Sequence, residues 1–184
     1  MEIPQLADSL VRLRPVDAGN VGLLIGWTLD PIAQGPYKQV PALTAEQLRD
    51  LFLFDQERRY FLIECSTDAK PLGRLYWRAR RFGALADAID WELNILLADP
   101  TDRGKGYGTS AQRLAAEYLA TWPNTCSVFA FTMAENEAER HALLKAGFRE
   151  EGPMPNSRYP VTLPAAPCVL FVWPKAQRSA VRPK

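Results

Sequence analysis

From Ser9 to Arg14 apolar and polar residues alternate, which puts Val11 and Leu13 on one face of a first predicted strand. From Val16 to Leu29 the spacing becomes helical and ends near Asp30-Pro31, and Ile32 to Pro41, with Pro36 and Pro41, reads as a loop. Thr44 is placed to cap a helix running to Phe54. Arg59–Cys65 and Pro71–Arg80 predict a hairpin around Thr67-Asp68-Ala69-Lys70. The central strand, Ala88 to Ala98, sorts Ile89, Trp91, Leu93, Ile95 and Leu97 to one face and Asp90, Glu92, Asn94 and Leu96 to the other. Between Ser110 and Trp122 a helical stripe follows, made of Ala111, Leu114, Ala115, Tyr118, Leu119 and Trp122. Thr125 to Met133 reads as another buried strand, and a helix opens at Asn136. A short strand begins at Phe148, and Cys168 to Trp173 is the last. Strands on either side of helices, with antiparallel hairpins among them, predict an α/β fold, α+β in its mixed sheet.

Composition narrows this without redirecting it. The 184 residues, 47% hydrophobic and 23% charged, suit one domain over residues 1–174 with a sizeable core. Residues 175–184 carry four basic side chains and no acid, and read as a solvated, disordered tail. A net charge of +1 gives no global attraction to nucleic acid or membrane. No apolar run is long enough to cross a bilayer, and Met1 to Gln5 lacks the basic start of a signal peptide. Cys65, Cys126 and Cys168 are odd in number and widely spaced, so they read as buried thiols in a reducing cytoplasm, with no disulfide frame and no metal site.

The chemistry begins at Arg103-Gly104-Lys105-Gly106-Tyr107-Gly108-Thr109, between the central strand and the next helix. Such a turn gathers backbone N–H groups at the positive end of a helix dipole, a ready phosphate site, with Arg103 and Lys105 adding charge at its rim. The dinucleotide fingerprint fails because Thr109 replaces its third glycine, and no Walker lysine follows. What remains is Arg-x-x-Gly-x-Gly, carried by Arg103, Gly106 and Gly108. Further on, Asn136 is a plausible N-cap with Glu139 at N3, and Gly147 a natural left-handed residue before Phe148. In this order and spacing the two segments resemble the GNAT superfamily of acyl-CoA-dependent N-acyltransferases, most of all the branch that includes the Rim-type protein N-terminal acetyltransferases. The resemblance is strong from Asp90 to Phe148. It implies the GNAT fold, in which two neighbouring strands, here Ala88–Ala98 and Thr125–Met133, splay apart around the pantetheine arm. It also implies acetyl-CoA as donor, held by Leu96, Leu97, Arg103, Gly104, Lys105, Gly106, Tyr107, Gly108, Thr109 and Asn136, with no metal.

Acyl transfer to an amine needs positioning, a route for the amine proton, and a donor for the developing oxyanion. Glu92 is the expected base, because it lies on the polar face of the central strand and relatives carry a Glu at the matching place. Asp90 is a weaker candidate, and Asn94 is placed to orient a water or an acceptor group. No acid is assigned: the tyrosine some relatives use is here Leu143, and the Rim-type serine is here Glu139, which reads as a helix-cap partner. His141 reads as a surface residue. Trp27, Tyr37, Arg158 and Tyr159 lie in segments that flank the acceptor side in relatives, and Pro153 to Pro167, with five prolines, reads as a stiff irregular loop. The acceptor expected is a primary amine on a small molecule or a protein N-terminus, with an amino acid, a polyamine and an amine-bearing antibiotic all open. Many relatives pair as homodimers. A non-catalytic acyl-CoA sensor and a transferase with a bulkier donor stand as alternatives.

Overall fold

The structure, a computed structural model, describes residues 5–82, 87–154 and 166–174. In chain order its elements are β1 (Leu6–Ala7), β2 (Val11–Pro15), α1 (Val21–Leu29), α2 (Pro31–Gln34), α3 (Ala45–Phe54), β3 (Arg58–Cys65) and β4 (Pro71–Arg80). There follow β5 (Ile89–Leu97), α4 (Tyr107–Ala120), β6 (Thr125–Met133), α5 (Glu137–Ala146), β7 (Arg149–Met154) and β8 (Cys168–Val172). The strands form one eight-stranded sheet in the order β1-β2-β3-β4-β5-β6-β8-β7. Only β5 and β6 are parallel, joined by the crossover through α4, so the mixed sheet expected from the sequence is the one observed.

Strand alternation decides what lies on each face. Tyr60 and Leu62 of β3 pack with Val21 and Leu24 of α1 and with Leu48 and Phe52 of α3. Their neighbours Phe61 and Ile63 join the main core with Leu75, Trp77, Trp91 and Leu93, under Ala111, Ala115 and Leu119 of α4 and Leu143 of α5. A slip of one residue would exchange the two sets, so burial on both faces fixes the register. Glu92, Asn94 and Leu96 alternate with the core row of β5 and therefore look toward the α1/α3 side.

Three elements differ from the sequence reading. Asp30-Pro31, read as the end of a helix, also begins one: Asp30 accepts the Ile32 amide at 2.9 Å, and Pro31 starts α2 inside the expected loop. The first helix begins at Val21 because the Asp17 side chain turns the chain by accepting the amides of Gly19 and Asn20. The third, α4, begins at Tyr107, so the glycine-rich turn runs directly into it. Thr44 and Gln47 form a full capping box. All three cysteines are free thiols, with Cys65 and Cys168 buried and Cys126 half-buried. Arg158, Tyr159, residues 155–165 of the proline-rich loop and the tail 175–184 lie outside the described residues.

The β4–β5 pair that carries the site leaves no room for a side chain at Gly73. A Cβ there would lie 2.0 Å from the Leu96 carbonyl oxygen and 2.9 Å from its carbon. Because the obstacle is backbone, Gly73→Ala is expected to force the strands apart at a cost of about 1–3 kcal/mol. Thermal unfolding checks this, and an unchanged Tm would show that the strand pair absorbs the methyl freely.

Candidate functional site

Pairing between β5 and β6 runs from Ile89↔Thr125 to Glu92↔Phe129 and stops there. Beyond that point β5 stays on β4 as far as Leu97, and β6 stays on β8 as far as Met133. Leu93–Leu97 and Ala130–Met133 therefore face each other without a ladder, leaving backbone donors and acceptors along both edges for an extended ligand. A cavity of about 170 Å³ opens there, between Leu93, Asn94 and Ile95 on one side and Phe131, Thr132 and Met133 on the other. Tyr37 and Lys38, from the loop after α2, and Asn136 and Glu139, at the start of α5, complete its wall.

At the far end of β5 the glycine-rich turn meets α4. Gly104 and Gly106 have φ of +77° and +89°, a region that disfavours side chains, and Gly106 is the N-cap of α4. The amides from Gly106 through Tyr107 and Gly108 to Thr109 find no acceptor among the described residues. Unpaired amides at the positive end of a helix dipole are suited to an anion. Gly108 is not of the same kind as Gly104 and Gly106: its φ is not positive, and a Cβ there would make ordinary contact with the Leu97 and Ile95 side chains at 3.6 and 3.7 Å.

The basic side chains of the turn do not stand free at its rim. Arg103 donates to the Leu97 carbonyl at 3.1 Å and the Ala33 carbonyl at 3.3 Å, bracing the end of β5 against α2. Lys105 reaches buried Asp102 at 3.2 Å, which also takes Lys70 at 2.6 Å. Arg103 is thus held in place with its positive charge uncancelled, while the one carboxylate of Asp102 is shared by two lysines. Leu96 is buried, and the Leu97 carbonyl is held by Arg103.

Glu92 is the last paired residue before the strands part; it is buried, and its Oε2 accepts Arg80 Nε at 2.7 Å and pairs with Arg80 Nη2 at 2.6 Å. Asp90 accepts the Ser127 hydroxyl at 2.5 Å. Asn94 does line the cavity, and its Oδ1 accepts Lys38 Nζ at 3.0 Å. Asn136 caps α5 by accepting the Glu139 amide at 3.3 Å, and its Nδ2 donates to Thr132 Oγ1 at 3.1 Å. The capping box expected of Glu139 does not close, because the Asn136 amide donates to the Met133 carbonyl.

Glu139 instead turns its carboxyl to the cavity. Burial pushes the group up to about 7, against the opposing pull of the Lys38 ammonium and Gln112 of α4. Burial likewise pulls Lys38 down to about 8, with Arg74 adding to the shift and Glu139 resisting it. Lys38 had no signal in the sequence, since a loop without periodicity does not say where its side chains point. Leu143 is fully buried in the core, His141 is exposed, and Trp27 packs with the α1/α3 cluster. Tyr37 donates to the Glu135 carbonyl at 3.3 Å, joining the loop to the β6–α5 turn.

Among the described residues no helix is long and apolar enough to cross a membrane, and no cluster of His, Cys, Asp and Glu could hold a metal ion. Residues 10–149 match the family described as "Acetyltransferase (GNAT) domain". The spermidine N(1)-acetyltransferase of Escherichia coli K12 is 29% identical over 152 residues, which covers 77% of this chain and 74% of that protein. The aminoglycoside acetyltransferase AAC(6')-Ib, solved with coenzyme A and kanamycin, shares the fold with a TM-score of 0.68 at 20% identity, over 88% of this chain and 93% of that one. The spermidine N-acetyltransferase of Vibrio cholerae, solved with CoA and spermine, does so with a TM-score of 0.68 at 18% identity, over 90% and 95% of the two chains.

Proposed function

This chain belongs to the GNAT acetyltransferase family, and we propose that it transfers the acetyl group of acetyl-CoA to a primary amine by direct attack in a ternary complex. The observation that carries this reading is the continuous path from the unpaired β5 and β6 edges to the free amides at the start of α4. The pyrophosphate would take the amides of Gly106 to Thr109, and the pantetheine arm would lie along the unladdered strand edges. The thioester supplies the acyl carbon: the amine nitrogen bonds to it as the carbon–sulfur bond breaks, and the sulfur leaves as a thiol.

The chain's own residues then seat the amine and move its proton. Asn94 Oδ1 holds the Lys38 ammonium at 3.0 Å, which marks where an amine is seated. Glu139 faces the same cavity and changes charge near neutral pH, so it can take a proton from an incoming ammonium and return one to the leaving sulfur. Glu92, with its oxygen engaged by Arg80, holds the head of the splay and leaves the proton work to Glu139. Residues 1–174 form one transferase domain in this reading. The Rim-type affinity rests on the Arg103–Gly108 turn and the spacing from Asn136 to Phe148 alone.

The test is calorimetric titration with acetyl-CoA, paired with thiol release over a broad panel of amines and peptides. Binding with thiol release is expected. Binding without release from any acceptor would favour the sensor reading, release only with succinyl- or propionyl-CoA would change the donor, and no binding would remove the site.

A further inference from the structure

Arg74 is a charged group that the contacts among the described residues leave without a counter-charge. It stands on β4 opposite Leu96, one step along the same face from the Tyr76↔Asn94 pair. The residue is only 8% exposed, and its Nε is buried with no hydrogen-bond partner. No carboxylate pairs with it among the described residues, and outside them the chain holds one acid, Glu2. Burial holds the guanidinium below its usual range, with only the Tyr60 and Tyr76 side chains opposing. Lys38, whose ammonium feels its charge, has the same sign. A buried cation left unpaired is among the costliest arrangements in a protein, and it persists where a ligand completes it.

The balance of charge around the cavity points the same way. Glu92 is neutralised by Arg80, which leaves Glu139 as the acid that faces Lys38 in the cavity, with Arg74 adding a second positive charge beside Lys38. Such a wall suits a polycation poorly. Asn94 and Arg74 are diagonal neighbours across the β4–β5 ladder, a relation that places backbones about 7–8 Å apart, close enough for an arginine side chain to reach over.

We propose that the acceptor is an amino acid: its amine replaces the Lys38 ammonium on Asn94 Oδ1, and its carboxylate pairs with the Arg74 guanidinium. This rests on the transferase reading for the reaction but not for the binding. The planar guanidinium fork matches a carboxylate in two-point contact, which a lysine cannot reproduce.

Matched pairs of acceptors test the idea, namely lysine against cadaverine and arginine against agmatine, each pair differing only by the carboxylate. At saturating acetyl-CoA the carboxylate-bearing member is expected to show a KM at least about tenfold lower. Arg74→Gln should bring the KM ratio within each pair close to one, while Arg74→Lys restores part of it. Because the guanidinium is unpaired, both Arg74→Gln and Arg74→Met are expected to raise the Tm, whereas a structural arginine would lower it when removed. Titrating the amino acids into protein preloaded with CoA reads the same preference without turnover. If nothing is acetylated but these amino acids bind and lose binding in Arg74→Gln, the transferase reading fails and the acceptor site stands. Equal KM values within pairs, a preference for the diamines, or equal damage to both members in Arg74→Gln would each overturn the proposal.

Discussion

Replacing Glu139 with glutamine is expected to lower kcat/KM by about two to four orders of magnitude, the range for loss of a positioned proton-transfer group. The backbone amide that Asn136 caps is unchanged by this substitution, so α5 should keep its start and the Tm should move little. The sign of the pH effect follows from the surroundings. Burial raises the carboxyl from 4.5 to about 7, so the base form is depleted below about pH 7 and kcat/KM should rise with pH through that region. In the glutamine variant that limb should vanish. Lys38 favours the ionised carboxyl, so Lys38→Met should move the midpoint upward. By contrast, Glu92→Gln leaves Arg80 without its partner and should mainly lower the Tm. A pH–rate profile unaltered by Glu139→Gln, or a larger catalytic loss in a folded Glu92→Gln protein, would return the base to the central strand.

Gly106→Val is expected to weaken CoA binding by about a hundredfold or more. At φ +89° a side chain brings strain of about 1–2 kcal/mol, more for a branched one, and the change falls on the N-cap of α4. The side chain would also stand beside the amides that receive the pyrophosphate. Space itself is not the obstacle, since the nearest atom to a Cβ there is Leu10 Cδ1 at 3.6 Å, so the variant should fold. Gly104→Ala makes the comparison. It shares the left-handed backbone, at φ +77°, but a Cβ there meets nothing within 4 Å, so it should show strain alone and a smaller loss. Calorimetry with CoA, beside a thermal melt, separates the two. Normal affinity in a folded Gly106→Val protein would remove the turn from the site.

The parts of this molecule written in local patterns were legible. Alternation located β3 to β6, the Asn136 and Thr44 caps appear where their side chains suggested, and the turn was recognised from three spaced residues. What escaped depends on register between distant segments. Glu92 meets Arg80 because the β4–β5 ladder sets Arg78 opposite Glu92 and Arg80 opposite Asp90, a relation no single strand contains. Arg103 looked like a rim cation, yet it folds back on carbonyls of β5 and α2, the second of which was hidden in an expected loop. Lys38 and Arg74 escaped for the same reason. Their significance lies in a meeting near Asn94 of a loop and a strand far apart in the chain.

The two ends of the sheet have a bearing on how copies of this chain can associate. One outer strand, β1, is only two residues long. The other, β7, carries Pro153, a register break between Glu150 and Gly152, and exposed Arg149, Glu150 and Glu151. Short length, proline, irregularity and charge are the devices that stop one sheet from growing into the next. Self-assembly by strand addition is therefore blunted at both borders. The open seam between β5 and β6 lies within the strand order, flanked by β4 and β8, so it stands away from both borders where a foreign strand could add.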